Sequence, residues 1–387
     1  MITCILHFFS VHLLVGATFS ENFCLKYVVC YLNHNLLNAM KRNIIIIVLF
    51  TALAGWQCSK MENRADLKQS LLNSAEDVNV AVSKISGTRG FELISVTDDN
   101  SKSAECYTLV DSIDLDLVKG IYDYQPDTFR HHHRYFPVSF FKKTGESDHM
   151  IVNMPHRMMF RPKYLFNYCT CDTVKKNNFT IDASDYHLYI GGWNTFNYKL
   201  TAGFTLDSEE VGDCDIISLA DRENGHSYSS KFNFTEGLNI TVDRVSGDTS
   251  ESSFALKDED ELLLMEKSIF VRSGFKTIER QYILSIGNVD IKKSTGVDSV
   301  QVFLDGVLQK TAAKIVTDGE GEESSICHKR DLEIVFDDGT KTRVSTLIGP
   351  AKETLKTLVS SLRDMYFARN IVDFIAVSVF FNDHDSD

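Results

Sequence analysis

The sequence predicts an α+β fold that is predominantly antiparallel β, arranged as a meander, a sandwich or a half-barrel. Between positions 179 and 245, runs that alternate apolar and polar residues recur about every ten residues. Glycine-containing turns separate these runs, as short antiparallel connections prefer. A helical apolar stripe precedes this block and a second one lies near the C-terminus, so we expect one helix at each end of a sheet.

The first sixty residues contain a segment with the organisation of an export leader. Lys41 and Arg42 precede an apolar run at 44–53, and small residues follow it. The uncharged part covers 43–57, which is short for a spanning helix of roughly 17–25 residues and is typical of a cleaved signal. We therefore predict a signal peptide at 40–57 and interpret 1–39 as an upstream extension from a start assigned too early.

Two cleavage sites compete at the end of this leader. Ala52 and Ala54 fit the A-x-A pattern of the ordinary signal peptidase, which would release a soluble secreted or periplasmic protein beginning at Gly55. Alternatively, Cys58 becomes the first residue and carries lipid on its sulfur and its amine. A third alternative is that the apolar run is retained as an anchor.

The residues around Cys58 resemble the leaders of Bacteroides-type exported lipoproteins, in which Ser-Lys or Ser-Asp often follows the cysteine. Here Ser59 and Lys60 follow it, whereas Gln57 departs from the usual Gly, Ala or Ser before it. The resemblance covers residues 40–60 only. It implies lipidation of Cys58 and attachment to the outer membrane, so the membrane is the first predicted partner.

Composition restricts the class of protein. The chain of 387 residues has a net charge of −13, and the leader contains more basic than acidic residues, so its removal leaves a more acidic protein. Such a surface disfavours nucleic acid, because phosphate contacts need clustered Lys and Arg. Only five prolines and 11% aromatic residues favour folded structure over disorder.

Charge and patterning divide the mature chain into four parts. We predict a tether at 58–73, a β-rich domain at 74–245, an acidic linker or loop at 246–260, and a second β-rich region at 261–387 that ends in a hairpin, a helix and a strand. The linker is assigned from its many Ser, Asp and Glu residues.

The predicted elements follow the hydrophobic periods in order. A helix begins at Ser74 as N-cap and ends at Gly87, with Val78 and Ile85 on its apolar face. Strands are predicted at 91–96 and 107–118, and a hairpin joins 136–141 to 149–154. The later predicted strands are 179–182, 186–190, 198–206, 215–219, 228–234, 238–242, 262–271, 281–286 and 300–308.

The C-terminal part carries the clearest periodicity. A hairpin is predicted between 331–336 and 341–347, because an Asp-Asp-Gly-Thr turn separates them. Pro350 then opens an amphipathic helix with an apolar stripe that includes Leu355, Leu358 and Leu362. The chain ends with a predicted strand at 371–381.

One candidate ligand site emerges from the aromatic residues. Trp193, Phe196 and Tyr198 lie close to a Gly-Gly turn, and aromatic rings on a loop at the end of a sheet can stack on a sugar or lipid ligand. Structural packing of the same rings is the alternative interpretation.

No catalytic motif, metal site or cofactor site is predicted. The chain lacks a phosphate-binding Gly-rich loop with Lys, and it lacks the G-x-S-x-G, H-E-x-x-H and C-x-x-C patterns. The three consecutive histidines 131–133 diverge in any regular element, so they do not form a metal site. A disulfide from Cys169 or Cys171 to Cys214 is an alternative to free, buried cysteines.

The sequence therefore favours a non-catalytic, exported envelope lipoprotein that binds a ligand or partner, namely a glycan, a lipid or an envelope protein. The alternative is a secreted or envelope enzyme, a glycan- or lipid-directed hydrolase whose site the sequence does not reveal. A third hypothesis is a eukaryotic secreted glycoprotein that uses the Met1 leader, since three Asn-x-Thr triplets occur at 178, 233 and 239.

Overall fold

The computed structural model describes residues 66–95, 110–125, 141–156, 176–191, 195–221, 225–273, 276–297, 299–309, 312–317, 330–363 and 366–384. The leader, Cys58, the histidines 131–133 and Trp193 lie outside these ranges, so the predictions made for them stay predictions.

The described part of the chain forms mainly β-strands. They are β1 (Val110–Asp114), β2 (Gly120–Tyr124), β3 (Phe141–Gly145), β4 (Met150–Met154), β5 (Phe179–Ile190), β6 (Phe196–Leu206), β7 (Glu209–Asp221), β8 (Gly225–Asn233), β9 (Leu238–Ser246), β10 (Thr249–Asp258), β11 (Glu261–Ser273), β12 (Lys276–Ile286), β13 (Val289–Ser294), β14 (Gln301–Leu304), β15 (Val307–Leu308), β16 (Ala312–Thr317), β17 (Arg330–Val335) and β18 (Lys341–Arg343). The helices are α1 (Leu67–Ser86), α2 (Arg89–Ile94), α3 (Leu115–Val118), α4 (Val344–Leu347), α5 (Lys352–Arg363) and α6 (Tyr366–His384).

One long antiparallel meander dominates the fold. From β4 to β15 each strand pairs with the next strand along the chain, and β2 and β3 extend the sheet beyond β4. A second sheet contains β16, β17 and β18, and the bridge between Val300 and Ala313 connects the two sheets. The α+β, predominantly antiparallel fold class is therefore confirmed, and the larger sheet is a meander.

The helices cover one face of the large sheet, which we call the inner face. Helix α1 contacts β11, β12 and β13, α5 contacts β8 and β9, and α6 contacts β1 and β5. Burial alternates along the strands that they cover, because successive side chains of a strand point to opposite faces. The hydrophobic core lies between the helices and this face.

A ladder of phenylalanines crosses the apolar end of the inner face. The rings of Phe179 and Phe204 stack at a centroid distance of 6.2 Å, and those of Phe204 and Phe232 at 6.0 Å. Gly212 on β7 lies between Phe204 and Phe232 and has a φ of +144°. A Cβ atom there would lie 2.8 Å from the Phe232 ring and 2.5 Å from the Asn233 carbonyl oxygen. A larger residue at position 212 would collide with these atoms, so glycine is required for Phe204 and Phe232 to stack across β7.

Three predicted elements near the start of the domain differ from the structure. Helix α1 begins at Leu67 and not at Ser74, because Leu67 and Leu71 extend its buried stripe. The predicted tether therefore ends earlier. Residues 91–96, predicted as a strand, include the end of helix α2, whose N-cap Thr88 accepts a hydrogen bond from the Phe91 amide. Of the predicted strand 107–118, β1 is extended and α3 is helical.

Pairing also differs from prediction between β2 and β4. For the hairpin predicted between 136–141 and 149–154, residues 136–140 lie outside the described residues. Its second strand, β4, pairs with β2 in parallel on one side and with β5 on the other, so it does not pair with β3. The predicted strands 179–182 and 186–190 form one strand, β5, with a register shift between Ala183 and Asp185.

The acidic stretch 246–260, predicted as a linker or loop, contains β10. This strand pairs with β9 on one side and with β11 on the other, so the sheet continues through it without a break. Its Ser and Glu side chains resemble those of a loop, but the neighbouring strands satisfy its backbone groups.

The C-terminal hairpin is confirmed as β17 and β18, and the amphipathic helix is confirmed as α5. The second strand of the hairpin is shorter than predicted, because 344–347 form helix α4 and do not continue the strand. The final strand at 371–381 is wrong, because that segment belongs to helix α6. Its buried side chains include Ile371, Val372, Ile375 and Ala376, which recur at helical spacing. No helix in the described ranges is both long enough and apolar enough to span a membrane.

Candidate functional site

The side chains of the inner face change from apolar to polar along the direction of the strands. We describe this change with three rows, each made of residues that are directly opposite one another on the neighbouring strands β8 to β13. The first row, which we call the apolar row, contains Phe232, Ile240, Leu256, Leu264, Ile286 and Val289. The next, the mixed row, contains Ser230, Val242, Phe254, Glu266, Leu284 and Ile291. The third, the polar row, contains Tyr228, Arg244, Ser252, Ser268, Tyr282 and Lys293.

Glu266 is the unusual member of the mixed row. Its Oε1 atom has no contact with solvent and no hydrogen-bond partner among the described residues. Its row neighbours Val242, Phe254, Leu284 and Ile291 are buried apolar side chains. Burial raises the pKa of the Glu266 carboxyl to about 8, so the group is mostly neutral at pH 7.

Tyr282 is the second buried polar group at this place. It lies on β12, diagonal to Glu266, because Glu266 pairs with Leu284 and Ser268 pairs with Tyr282. The Tyr282 hydroxyl is close enough to oppose the rise in the pKa of Glu266 in part. Nevertheless, no hydrogen bond of ordinary geometry reaches Glu266 Oε1 or the Tyr282 hydroxyl from the described residues. Burial also raises the pKa of Tyr282.

Two unsatisfied polar groups side by side are costly, because burying each without a partner costs about 1–3 kcal/mol. Ser268, which is 2% exposed, lies between them on the same face. Glu266, Ser268 and Tyr282 therefore form a cluster that can accept and donate hydrogen bonds to a bound molecule. We call these three residues the inner polar cluster.

Two cations flank this cluster. Lys293 on β13 pairs directly with Tyr282, and Arg244 on β9 pairs with Ser252 in the same row. Both lie two strands away from β11, the strand of Glu266, which corresponds to roughly 10 Å. Lys293 Nζ donates to the carbonyl oxygen of Val297. The polar row is also tied to the helices, because the Tyr228 hydroxyl donates to the carbonyl oxygen of Leu362 at 3.1 Å.

A serine and a histidine meet at the polar end of the same face. Ser218 Oγ on β7 lies 3.2 Å from His226 Nε2 on β8, and Ser218 is 5% exposed. Burial lowers the pKa of His226, and Arg244 lowers it further, so the ring is neutral at pH 7. A neutral imidazole can act as a general base toward a serine. No acidic side chain bonds to this ring in the described ranges, so the third member of a triad is lacking there.

Histidine–carboxylate pairs occur on the opposite, outer face. His149 Nδ1 lies 2.8 Å from Asp182, and His187 Nδ1 lies 2.7 Å from Asp114. Hydrogen bonding to His187 lowers the pKa of Asp114. These pairs are partly exposed and do not converge, which is typical of ordinary surface pairs.

The predicted aromatic site is distributed differently from expectation. Phe196 and Tyr198 lie on β6 and not on a loop, and their rings stack at 6.1 Å on the inner face. Tyr198 is fully buried and packs edge-to-face on Tyr186. The Tyr186 hydroxyl donates to Asp373 Oδ1 on α6 at 3.2 Å. These rings thus contribute to the core beneath α6, and ligand binding by them stays a prediction.

Cys214 also lies on the inner face, where it is a free and fully buried thiol. For Cys214 this confirms the prediction of a free, buried cysteine and excludes the alternative disulfide; Cys169 and Cys171 lie outside the described residues. Burial, together with the carboxylates of Asp215 and Asp213, raises the pKa of this thiol. It acts as a small core side chain.

Sequence reasoning missed the inner polar cluster. The strand at 262–271 was predicted, but its apolar residues occupy both alternating positions, so the pattern did not identify the inner face. Within the described ranges, no group of three or more His, Cys, Asp or Glu side chains could hold a metal ion. Comparison with known proteins finds no matching family model, no matching curated protein and no matching solved structure.

Proposed function

We propose that this protein is a non-catalytic lipoprotein of the bacterial envelope that binds a small ligand at the inner polar cluster. The observation that carries the ligand-binding part is the buried Glu266 carboxyl beside the buried Tyr282 hydroxyl, since neither Glu266 Oε1 nor this hydroxyl has a hydrogen bond of ordinary geometry from the described residues. A protein that keeps two such groups in its interior loses stability, and a ligand that bonds them would offset the loss. A group with a strongly shifted pKa at such a place is a candidate for function.

The anchoring part rests on the leader and on Cys58. Residues 59–66 separate Cys58 from α1, and they span at most about 30 Å when fully extended. A lipid on Cys58 would therefore hold the fold close to the bilayer. Labelled palmitate should enter the protein in native cells and should not enter the Cys58→Ala variant. Equal incorporation into both would remove the anchor from the proposal.

Ligand binding is tested by thermal unfolding with a panel of sugars, organic acids, amines and lipid head groups. The sample is the full chain with Cys58→Ala, which cannot be acylated at that residue. We expect at least one compound to raise the melting temperature of this protein and to lose most of that effect in a Tyr282→Phe variant. A panel in which no compound discriminates between the two proteins would contradict the proposal.

The Ser218–His226 contact favours a second candidate function, an envelope hydrolase. In that case nitrophenyl esters should be hydrolysed by the Cys58→Ala protein, and Ser218→Ala should abolish the turnover. Ser229→Ala is the matched control, because Ser229 Oγ donates to Asp243 on the neighbouring strand. Equal rates in the three proteins would eliminate the hydrolase and leave the binding proposal intact.

A further inference from the structure

We infer that the ligand of the inner polar cluster carries a positively charged organic group, an amine or a quaternary ammonium, held by Glu266 between Phe254 and Tyr282. This inference rests on the proposed ligand-binding function and adds the chemical class of the ligand. It follows from three features of the inner face: the single acid in its apolar, mixed and polar rows, the aromatic rings beside that acid, and the lack of a cation paired with that acid among the described residues.

Glu266 is the only acidic side chain in the apolar, mixed and polar rows. Asp243, Glu251 and Asp290 on the same strands occupy the alternate positions on the outer face. Those outer carboxylates have partners: Asp243 accepts a hydrogen bond from Ser229, while Glu251 and Asp290 pair with lysines. Glu266 differs because its Oε1 atom has none in the described structure. Since no cation of the described residues pairs with Glu266, a bound cation can supply the countercharge of this buried acid.

Aromatic side chains lie on both sides of this acid. Phe254 on β10 is directly opposite Glu266, and Tyr282 is its diagonal neighbour on β12. Directly opposed residues of antiparallel strands have Cβ atoms about 5 Å apart, and diagonal ones are within reach of aromatic rings. Aromatic faces attract ammonium groups through their quadrupole, most strongly where water is excluded. A carboxyl between two rings is therefore suited to an organic cation, whereas a neutral ligand would use the hydroxyl groups alone.

The charged groups of the surrounding elements do not replace the missing countercharge. Arg244 on β9 and Lys293 on β13 lie two strands away from β11, although Lys293 is directly opposite Tyr282. Arg280 is one row further along β12, with its guanidinium 5.9 Å from the Phe270 ring. Helix α1, which covers β11 to β13, buries only apolar side chains. The net charge of −13 additionally raises the local concentration of cations around the protein.

Binding of a cation should release the proton of the Glu266 carboxyl to the solvent. In the free protein at pH 7 the Glu266 carboxyl holds its proton, because its pKa is about 8. When the cation binds, the carboxyl releases this proton to the solvent and the carboxylate pairs with the ligand. We therefore expect close to one proton released per ligand at pH 7 and almost none at pH 9.5.

The test uses isothermal titration of the full chain with Cys58→Ala and two pairs of probes. Each pair matches a cation with a neutral compound of similar shape: choline with 3,3-dimethylbutan-1-ol, and hexylamine with hexan-1-ol. We expect at least one cation to bind tenfold or more tightly than its neutral partner. We also expect proton release when the titration is repeated in buffers of different ionisation enthalpy.

Three variants connect the preference to the cluster. Glu266→Gln keeps the shape of the neutral acid and should abolish the preference for the cation. Phe254→Leu keeps the carboxyl but removes one aromatic ring, so it should weaken the binding of the cation several-fold. Glu251→Gln is the matched control, since it removes one acidic charge from the outer face, where Glu251 lies 2.5 Å from Lys267. This control should leave binding unchanged.

The outcomes separate this inference from the proposed function. Equal affinity within both pairs, or a preference that survives in Glu266→Gln, would overturn the cation assignment and leave ligand binding standing. Failure of both cations to bind would also overturn it. The ligand-binding function falls only if the broader panel described above produces no shift that depends on Tyr282. Circular dichroism of each variant verifies that a loss of binding is not a loss of folding.

Discussion

Replacing Glu266 by Gln should make the folded protein more stable, by an amount that depends on pH. The carboxyl has a pKa of about 8 in the folded protein, against an ordinary value of 4.5 for an exposed carboxyl, because burial disfavours its charged form. The folded state therefore holds the proton more tightly than the unfolded state. The stability contributed by this group is complete below pH 4.5, decreases as the pH rises, and levels off above pH 8.

The magnitude follows from the two pKa values at about 1.4 kcal/mol per pKa unit. The free energy of unfolding of the parent protein should therefore be lower than that of the variant by less than about 1 kcal/mol at pH 5, by about 3 kcal/mol at pH 7 and by about 5 kcal/mol at pH 9. These are upper values, since the Gln amide is also buried and also lacks partners. The cost of burying the Gln amide does not depend on pH. It therefore cancels when the stability difference between the two proteins at pH 5 is subtracted from their difference at pH 9.

The assay is urea-induced unfolding of the Cys58→Ala protein with and without Glu266→Gln, at pH 5, 7 and 9. Glu251→Gln serves as the control, because its partly exposed pair with Lys267 is worth at most about 1 kcal/mol. Free energies of unfolding that run parallel with pH in the parent and the Glu266→Gln variant would refute the reasoning. That result would mean that the carboxyl is solvated and has an ordinary pKa.

Three further results are expected from separate parts of the core. Gly212→Ala should lower the free energy of unfolding by roughly 2 kcal/mol or more, because the new Cβ would meet the Phe232 ring and a backbone carbonyl. Gly203→Ala is its control and should change stability by less than about 1 kcal/mol, since no heavy atom lies within 4 Å of a Cβ there; chemical denaturation measures both. Cys214 should resist alkylation by iodoacetamide at pH 8 in the native protein and react in urea, because burial raises the pKa of its thiol; peptide mapping by mass spectrometry would show early native labelling if this is incorrect. Tyr186→Phe should cost roughly 1–2 kcal/mol, because it removes the hydrogen bond to the buried Asp373, and an unchanged thermal melt would mean that this bond contributes nothing.

The C-terminal helix and hairpin were predictable because their signals are local. In α5, apolar residues recur at spacings of three and four and form one buried stripe, so the sequence alone defines the helix. Between β17 and β18 an Asp-Asp-Gly-Thr turn separates two short runs, and Gly339 has the positive φ of +78° that such a turn requires.

Helix α6 shows why the adjacent element was mispredicted. Its residues include several β-branched and aromatic side chains, and a helix buried around much of its surface has the same apolar composition as a buried strand. Contact with α3, β1 and β5 decided the helix, because those elements bury its apolar side chains from several sides. Strand β10 is the reverse case, where a polar sequence became a strand because two neighbours paired with its backbone.

The sequence by itself determined the fold class, the dominance of antiparallel strands, the helices at both ends, and the acidic character that disfavours nucleic acid. These properties follow from local periodicity and from composition, and neither depends on distant contacts. The tertiary structure alone decided which alternate positions of β11 face inward. Because a one-residue change of face would place Glu266 on the solvated side, only the pairing of β10, β11 and β12 makes it a buried acid beside Phe254 and Tyr282.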